Sequence, residues 1–346
     1  MEKEKRLAAF INLGKFISDH ISGQIHAGLE DFHDELKKIS TESFFHNGWF
    51  TPKSIEMALS GITFLLEEEK LREFAKSINE TPPKKVAVIM AGNIPSVGFH
   101  DLLCVLLSGH SILIKTSSDD HLLIPFFCKL LRHFDTEFEN RIEFAEGKLT
   151  NFDAIIATGS NSSALHFEYY FKKYPRIIRK NRNSVAVLSG NETTADLENL
   201  GKDIFNYFGL GCRNVSKLYV PEGYKFETFF EAMFNQRSVA ENKKYYSNYE
   251  YHRALFLLEK IDFLDNNFMI VRQSEQLSSP VSVIHYEFYA DINKLSVLLS
   301  TLENQIQCVV GNIKLPGMVE FGQSQIPVIN DFADRVNTLD FLNRLG

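Results

Sequence analysis

One cysteine in this sequence stands in a setting that suits a nucleophile. Two glycines, Gly209 and Gly211, come just before Cys212, and Arg213 follows it. Glycines let the backbone turn tightly and leave little bulk over the sulfur, and a neighbouring guanidinium favours the thiolate, the form that attacks electrophiles. The alternative is ordinary, because a free cysteine is usually a small buried apolar residue. The predicted approach is a helix through Ile204, Phe205 and Phe208, and a strand follows at Lys217–Val220.

Polar residues also follow three apolar runs that predict strands: Val86–Met90, Ser111–Lys115 and Ala154–Thr158. Each run is followed by a turn and a helical pattern, an order typical of a doubly wound parallel sheet. Such sheets bind ligands at the carboxyl ends of their strands. The cofactor-binding candidates at these ends are Lys115, Ser117, Ser118, Gly159 and Ser160, and Asn93 is a catalytic candidate at the same edge.

These residue types suit a nucleotide. A lysine at a strand end can bind ribose hydroxyls or a phosphate, and Gly159 and Ser160 offer backbone N–H groups at a helix start to an anion. Asn93 adds a side-chain amide. The common dinucleotide fingerprint GxGxxG is not present in the sequence. Each residue also has an ordinary interpretation, as a surface lysine, a turn asparagine or a helix cap, so the indication lies in their recurrence at successive strand ends.

The remaining pattern predicts an α/β protein with two doubly wound domains and an N-terminal helical segment. Residues 1–80 are the helical segment, packed on the cofactor-binding domain of residues 81–182; a catalytic domain spans 183–320 and a C-terminal segment 321–346. Ser117–Asp120 is predicted to cap a helix that runs to Phe134. Further predicted helices are Phe99–Ser108, Ser163–Lys173, Phe226–Phe234 and Val336–Leu345, and another runs through Leu258 after a tyrosine-rich segment, Lys243–Tyr251. Further strands are Ser184–Leu188, Val281–His285 and Gln307–Gly311.

Composition sets the class of protein. The 346 residues carry a net charge of −7 and 44% hydrophobic residues, which is ordinary for a globular protein and argues against a general nucleic-acid binder. The four cysteines are scattered without a CxxC pair, so the sequence predicts reduced thiols and no metal site. Without a signal-peptide pattern or a long apolar run, we expect a cytoplasmic protein with no membrane span.

Four stretches together resemble the LuxC-type acyl-CoA reductases, the fatty-acyl reductases of bacterial luminescence, which are a divergent branch of the aldehyde dehydrogenase superfamily. The stretches are Gly92–Asp101, Ala157–Ser160, Ile178–Leu188 and Phe208–Ser216. The resemblance covers roughly residues 80–345, and the stretch around Cys212 is its most specific part. Two shorter stretches, Phe321–Gln323 and Asp340–Leu342, also look similar.

The resemblance implies a role for each candidate residue. Cys212 would attack the thioester carbonyl of acyl-CoA and form a thioacyl enzyme, which a hydride from NADPH reduces to an aldehyde. Asn93 and the backbone N–H of Cys212 would stabilise the oxyanion, and such a donor is typically worth about 3–4 kcal/mol of barrier. Lys115 matches the lysine that holds the adenosine ribose. Gly159 and Ser160 match the glycine and serine beside the cofactor phosphates.

Departures from the superfamily pattern refine the expectation. The region 175–190, where oxidising members carry a glutamate base, contains no carboxylate, and its loss suits a reductase because water would waste the acyl group. Three residues after Lys115, Ser118 stands where a glutamate often repels a 2′-phosphate, so we favour NADPH over NADH. In the loop Glu275–Val281, Gln276 replaces a second ribose-binding glutamate, so the resemblance implies no cofactor contact from this loop.

Two further residues are candidates for acid–base work, Glu192 in the loop after the Ser184–Leu188 strand and His100 near Asn93. Two other functions stay open. One is reduction of a different activated acyl group such as an acyl phosphate, and the other is a catalytically idle acyl carrier that forms the Cys212 adduct without binding a cofactor. Either a homo-oligomer or a complex with an enzyme that supplies acyl groups or consumes aldehyde is compatible with the sequence.

Overall fold

Two compact units make up the chain. The structure is a computed structural model that describes residues 1–313 and 317–345. One unit comprises Met1–Asn181 together with the residues from Val328 onward, and the other comprises Arg182–Pro327. Each unit contains one sheet made mostly of parallel strands, with helices between the strands along the chain. The predicted α/β fold with two domains and an N-terminal helical segment is confirmed.

The first unit opens with helices α1 Lys3–Ser22, α2 Glu30–His46, α3 Pro52–Leu65 and α4 Glu68–Ala75. Helix α3 starts with proline at its first position behind the N-cap Thr51, whose Oγ1 accepts the Ser54 N–H at 3.2 Å, an arrangement that favours helix initiation. Gly23, at φ 74°, ends α1 in the left-handed conformation that glycine adopts readily. The apolar face of α1 is buried, and α1 packs on α3 and α4.

The first sheet has strands β1 Lys85–Ile89, β2 Ser111–Lys115, β3 Ile142–Phe144, β4 Ala154–Thr158 and β5 Arg176–Arg179. All its pairs are parallel, in the order β3-β2-β1-β4-β5. Its helices are α5 Phe99–Leu107, α6 Leu123–Phe134 and α7 Asn161–Tyr170. The three strands expected from the sequence are β2, β1 and β4. They lie side by side with their central residues buried, so their carboxyl ends share one edge.

Helix α6 begins later than the sequence predicted. It starts at Leu123, and its N-cap position, Leu122, makes no side-chain cap hydrogen bond. The predicted cap, Ser117–Asp120, is instead a turn closed by the Asp120 N–H donating to the Ser117 carbonyl at 3.3 Å. The capping interpretation is wrong because Asp120 turns inward and binds the loop after β1, which a residue in a helix cap could not reach.

The second sheet has strands β6 Asn183–Val187, β7 Val215–Pro221, β8 Leu264–Asp265, β9 Ile270–Gln273, β10 Val283–Tyr289, β11 Ile306–Val310 and β12 Met318–Val319. Their order is β12-β11-β6-β7-β10-β9-β8, and only the β8–β9 pair is antiparallel among the described pairs. The helices are α8 Thr194–Phe205, α9 Glu227–Met233, α10 Lys243–Glu259 and α11 Ile292–Thr301. Thr193 and Asp196 form a capping box at the start of α8.

The last helix, α12 Thr338–Asn343, belongs to the first unit and is held there by a buried ion pair. The Arg179 guanidinium, at the end of β5, pairs with the Asp101 carboxylate in α5 and donates to Thr338 Oγ1 at 3.0 Å. All three side chains are buried. One arginine thus joins a strand, an internal helix and the final helix.

None of the helices in residues 1–313 and 317–345 is long and apolar enough to cross a membrane. In the same ranges, no group of three or more His, Cys, Asp and Glu side chains is placed to hold a metal ion.

Candidate active site

Cys212 lies on a four-residue turn, Gly211–Asn214, which leads into β7. The Asn214 N–H closes the turn by donating to the Gly211 carbonyl at 3.0 Å. Cys212 therefore occupies the second position of the turn, where the closing bond uses neither its N–H nor its carbonyl. Its side chain is exposed. The predicted nucleophile is presented at the amino end of a central strand.

The other cysteines differ from Cys212 because all three are buried: Cys104, Cys128 and Cys308. Burial raises the pKa of the Cys128 thiol to about 12 and that of the Cys308 thiol to about 11. Burial also raises the pKa of Cys104 well above its usual value. These thiols stay protonated near neutral pH, and the thiolate is the reactive form, so the structure favours Cys212 as the site of thiol chemistry.

The approach to Cys212 is not the helix that the sequence predicted through Phe208. Helix α8 ends at Phe205, and the next turn contains Tyr207 and Phe208 at φ 52° and 58°. Gly209 follows at φ 79°. Left-handed backbone costs a residue with a Cβ roughly 1–2 kcal/mol, so this segment must be held by its surroundings. The backbone therefore changes from right-handed to left-handed conformation just before Cys212.

Ser184 in β6 connects the Cys212 turn to Cys308 in β11. Its Oγ donates to the Cys212 carbonyl at 2.9 Å. Because a hydroxyl has one proton to give, the Cys308 thiol, 3.0 Å from the same oxygen, must donate to Ser184. The raised pKa of Cys308 keeps that proton in place. The two buried side chains therefore fix the carbonyl of the nucleophile's own residue.

Glu192, a predicted acid–base candidate, lies at the other edge of this sheet. Strands β6 and β7 are parallel; Cys212 precedes β7, whereas Glu192 follows β6. The seven residues of β7 run from one edge to the other, a span of about 20 Å at a rise of roughly 3.3 Å per residue. The Glu192 carboxylate accepts the Gly190 N–H at 3.1 Å and the Ser189 hydroxyl at 2.7 Å. This carboxylate therefore orders its own loop, and the acid–base role of Glu192 stays a prediction.

The loop Glu275–Val281 is fixed by its backbone carbonyls. Buried Lys217 donates from Nζ to the Glu275 carbonyl at 2.8 Å and pairs with Glu287 at 2.6 Å. Ser216 Oγ donates to the Leu277 carbonyl at 2.7 Å. The loop is therefore tied to β7, the strand that Cys212 precedes.

In the first unit, sheet topology brings the polar candidates to one edge. Asn93 lies in the loop after β1, Lys115 ends β2, and Gly159 and Ser160 stand between β4 and α7. These strands are neighbours, in the order β2-β1-β4. The side chains of Asn93, Lys115 and Ser160 are exposed. The edge is a place where a nucleotide can meet a lysine and the start of a helix.

The start of α7 suits a phosphate. A Cβ on Gly159 would lie 2.9 Å from the Ser163 Cβ and 3.0 Å from Phe167 Cε2, so the chain needs a residue without a side chain here, and the Gly159 N–H donates to the Arg179 carbonyl at 3.3 Å. Helix N-termini attract anions through unpaired N–H groups and the helix dipole. Ser160 Oγ accepts the Ser163 N–H at 3.1 Å, so its hydroxyl already serves as the helix cap.

The residues after Lys115 divide into two groups. Lys115 Nζ lies 3.3 Å from the Gly147 carbonyl, and the Ser118 side chain is exposed beside it. Ser117, in contrast, accepts the Asp119 N–H at 3.2 Å through Oγ. A Cβ on Gly92 would come within 2.5 Å of that Oγ, so Ser117 packs on the loop after β1. Lys115 and Ser118 are the members of this group open to a ligand.

His100 is engaged inside the first unit. Its Nε2 donates to the Ile329 carbonyl at 2.8 Å, and Cys104 Sγ lies 3.8 Å from Nδ1. Burial lowers the pKa of His100, which favours the neutral ring with its proton on Nε2. His100 thereby links α5 to the C-terminal segment. Its acid–base role stays a prediction.

Known proteins resemble this chain in sequence and in fold. The sequence model of the family described as acyl-CoA reductase (LuxC) matches residues 33–234. The chain belongs to the acyl-CoA reductase (LuxC) family. The match begins in α2, earlier than the resemblance seen in the sequence, and ends after α9. No curated protein sequence matches the chain.

Solved structures share the fold of this LuxC-family chain. Aldehyde dehydrogenase 21 from Physcomitrella patens, solved with its reaction product succinate, superposes with a TM-score of 0.70 at 11% identity, covering 100% of this chain and 84% of that one. The NAD⁺ complex of a Bacillus cereus aldehyde dehydrogenase gives 0.63 at 12% identity over 91% and 73%. An NADP-dependent enzyme of E. coli gives 0.60 at 14% over 91% and 74%. The aldehyde dehydrogenase-like fold is confirmed, and this family member is an oxidoreductase of acyl or aldehyde groups.

Several residues that shape the sites of this LuxC-family protein were missed in the sequence. Asn214 and Ser184 hold the Cys212 turn, and Asp120 holds the loop that contains Asn93. Spacing could have indicated the first of these, since Asn214 stands three residues after Gly211, a separation at which a side-chain amide can close a turn. Ser184 and Asp120 carry no such local pattern, because their partners are more than 20 residues away in the sequence.

Asp120 binds the Asn93 loop from inside the LuxC-family fold. Its Oδ2 accepts the Ser96 N–H at 2.6 Å, and Ser96 itself has a φ of 59°. Burial raises the pKa of Asp120 from its ordinary 3.8 to about 6, opposed in part by the Ser96 hydrogen bond. The carboxyl group therefore keeps its proton in the folded protein at pH values where the unfolded chain has released it.

We expect an Asp120→Asn variant to become more stable relative to the wild type as pH rises. Between the two pKa values, 3.8 and about 6, stability is lost with increasing pH because only the unfolded chain ionises freely. An asparagine still accepts the Ser96 N–H but never ionises. The gain in unfolding free energy should rise from near zero at pH 4 to at most about 3 kcal/mol above pH 7, measured by urea denaturation.

The control for this experiment is Asp119→Asn, which removes a neighbouring but exposed carboxylate and should change the unfolding free energy by less than about 0.5 kcal/mol at either pH. If the difference in unfolding free energy between wild type and Asp120→Asn does not change with pH, the buried carboxyl group is not the titrating one.

Proposed function

We propose that this protein reduces acyl-CoA to the aldehyde with NADPH, through a thioacyl intermediate on Cys212. The observation that supports it best is the presentation of Cys212. It is the exposed cysteine among four, it stands on a tight turn, and its own carbonyl is held by Ser184. Membership in the acyl-CoA reductase (LuxC) family supplies the reaction class.

The first half of the reaction is acyl transfer. The Cys212 thiolate attacks the thioester carbonyl carbon, the carbonyl electrons move onto oxygen, and collapse of the tetrahedral species breaks the bond to the CoA sulfur. CoA leaves as its thiolate and takes up a proton, and the acyl group remains as a thioester on Cys212. The backbone N–H of Cys212 serves as a donor to the oxyanion. A second donor from Asn93 stays a prediction from the family resemblance.

The second half is reductive. Bound NADPH supplies the hydride that brings the acyl carbon to the aldehyde level, and the overall change consumes acyl-CoA, NADPH and a proton and yields aldehyde, CoA and NADP⁺. The chain's own contribution is to exclude the competing hydrolysis. Region 175–190 contains no carboxylate, and Glu192 is at the far edge of the second sheet, so no residue proposed for this site activates water.

The cofactor residues that we assign are Lys115, Ser118 and the N-terminus of α7 at Gly159 and Ser160. A preference for NADPH rests on Ser118, an exposed hydroxyl where a carboxylate would repel a 2′-phosphate. The helix start is the natural place for the cofactor's phosphates.

The test is intact mass after mixing the protein with excess myristoyl-CoA, then adding NADPH or, separately, NADH. We expect one acyl mass on Cys212 that disappears on adding NADPH, with aldehyde formed. An adduct that persists with either cofactor would indicate an idle acyl carrier. Equal discharge by NADH would overturn the NADPH preference. Absence of an adduct with every chain length, but aldehyde from an acyl phosphate, would change the substrate class.

A further inference from the structure

We propose that Asn214 is a positioning residue that aims the oxyanion-binding N–H of Cys212. The inference rests on the proposed function, since it concerns the acyl-transfer step at that cysteine. Asn214 is itself 3% exposed, so it acts from beneath the turn rather than by touching substrate. Its side chain and backbone together make five hydrogen bonds to the residues that precede and follow the left-handed segment.

The first contact group fixes Gly211 from both sides. The Asn214 N–H donates to the Gly211 carbonyl at 3.0 Å, and the Asn214 Oδ1 accepts the Gly211 N–H at 2.8 Å. The Gly211 carbonyl and the Cys212 N–H belong to one planar trans peptide unit and point in opposite directions. Holding the carbonyl on Asn214 therefore fixes the direction of the Cys212 N–H, which points opposite to that carbonyl.

The second group of contacts provides hydrogen-bond donors to the carbonyls at the end of α8. The last carbonyls of a helix have no partner within it, and here the chain turns left-handed instead of continuing. Asn214 Nδ2 donates to the carbonyls of Asn206 at 2.7 Å and Asp203 at 3.0 Å, with Ile204 at 3.3 Å sharing a proton. The amide orientation is unambiguous because nitrogen faces three carbonyls and oxygen faces an N–H.

The end of α8 is itself held in place by hydrogen bonds to another loop. The buried Asp203 carboxylate accepts the Gly322 N–H at 2.6 Å and the Ser324 N–H at 3.0 Å. Asn214 thus connects the Cys212 turn to a helix end that is itself tied to a distant loop. The strained residues Tyr207 and Phe208 are bridged by the same side chain, which explains how their left-handed backbone is kept in one conformation.

The test compares two reactions of the same thiol in Asn214→Ala and the wild type. Acylation by myristoyl-CoA needs the oxyanion donor, whereas alkylation by iodoacetamide forms no oxyanion. We expect the acylation rate to fall about tenfold to a hundredfold, short of the roughly 10²–10³-fold that outright loss of a donor costs. The alkylation rate should change less than about threefold, so the ratio of the two rates carries the result.

The matched control is Ser216→Ala. Ser216 Oγ donates to the Leu277 carbonyl at 2.7 Å and lies 3.3 Å from the Ser184 carbonyl, and its side-chain hydrogen bonds within the described part of the chain do not involve residues 203–211. The Ser216→Ala substitution should lower stability without changing the ratio of the acylation rate to the alkylation rate. If Asn214→Ala does not fold, Asn214→Ser is measured instead; it keeps a polar group but is too short to reach both sides, and the same fall in the ratio is expected.

Each outcome bears on one claim. An unchanged ratio in the Asn214 variants, with wild-type acylation intact, overturns the positioning role and leaves the proposed function standing. Equal falls in acylation and alkylation also overturn it, because they would show a general collapse of the turn. Failure of the wild-type protein to acylate with any acyl-CoA, while iodoacetamide still modifies Cys212, would instead count against the proposed function.

Discussion

A Cys212→Ala variant is expected to form no acyl adduct and to lose aldehyde formation from acyl-CoA and NADPH by at least about 10⁴-fold. The reason is chemical, since removing a covalent nucleophile leaves only binding and orientation to assist the reaction. The remaining cysteines cannot replace it, because all three are buried and burial raises the pKa of each. Intact mass measures the adduct, and coupled detection of CoA release and aldehyde measures turnover.

The control is Cys128→Ala, which removes a buried thiol in α6. Cys128→Ala should acylate at the wild-type rate but lose some thermal stability. Cys212→Ala should show the opposite, because it removes an exposed side chain at little cost to folding. An acyl adduct on another residue of Cys212→Ala, at a rate near that of the wild type, would contradict the assignment of the nucleophile.

Much of the fold could be predicted because its signals are local. The apolar runs that became β1, β2 and β4 are short, have buried central residues and are bounded by turn residues, a pattern typical of parallel strands. Their succession along the chain gives the edge at which Asn93, Lys115 and Gly159 lie. The exposed cysteine could also be anticipated, because two glycines before it indicate a tight backbone turn.

The rest depends on contacts that a linear pattern does not carry. The left-handed turn at Tyr207 and Phe208 is adopted by residues that disfavour it, so local propensity does not predict it. Glu192 follows one predicted strand and Cys212 precedes another, but the sequence does not say that these strands, β6 and β7, pair side by side and run parallel. Which edge of a sheet holds a residue is decided by the direction of the strands, and only the fold reveals it.

The contacts of Arg179 could not be predicted from the sequence either, because its partners are far from it along the chain. We expect Arg179→Met to lower the unfolding free energy of the first unit by about 3–5 kcal/mol, the usual cost of breaking a buried ion pair by removing one member. Asp101 would be left charged and buried without its guanidinium, and Thr338 in α12 would lose the donor that ties the final helix to β5. Urea denaturation followed by circular dichroism measures the change.

The chain offers a matched control on the same strand. Arg176, at the other end of β5, pairs with Glu168 at 3.1 Å, and both side chains are partly exposed, at 32% and 41%. Arg176→Met should cost no more than about 1 kcal/mol, because solvent screens such pairs. The double variant Asp101→Asn with Arg179→Met should recover part of the loss by removing the orphaned charge. Equal effects of Arg176→Met and Arg179→Met would refute the reasoning, because burial alone distinguishes the two pairs.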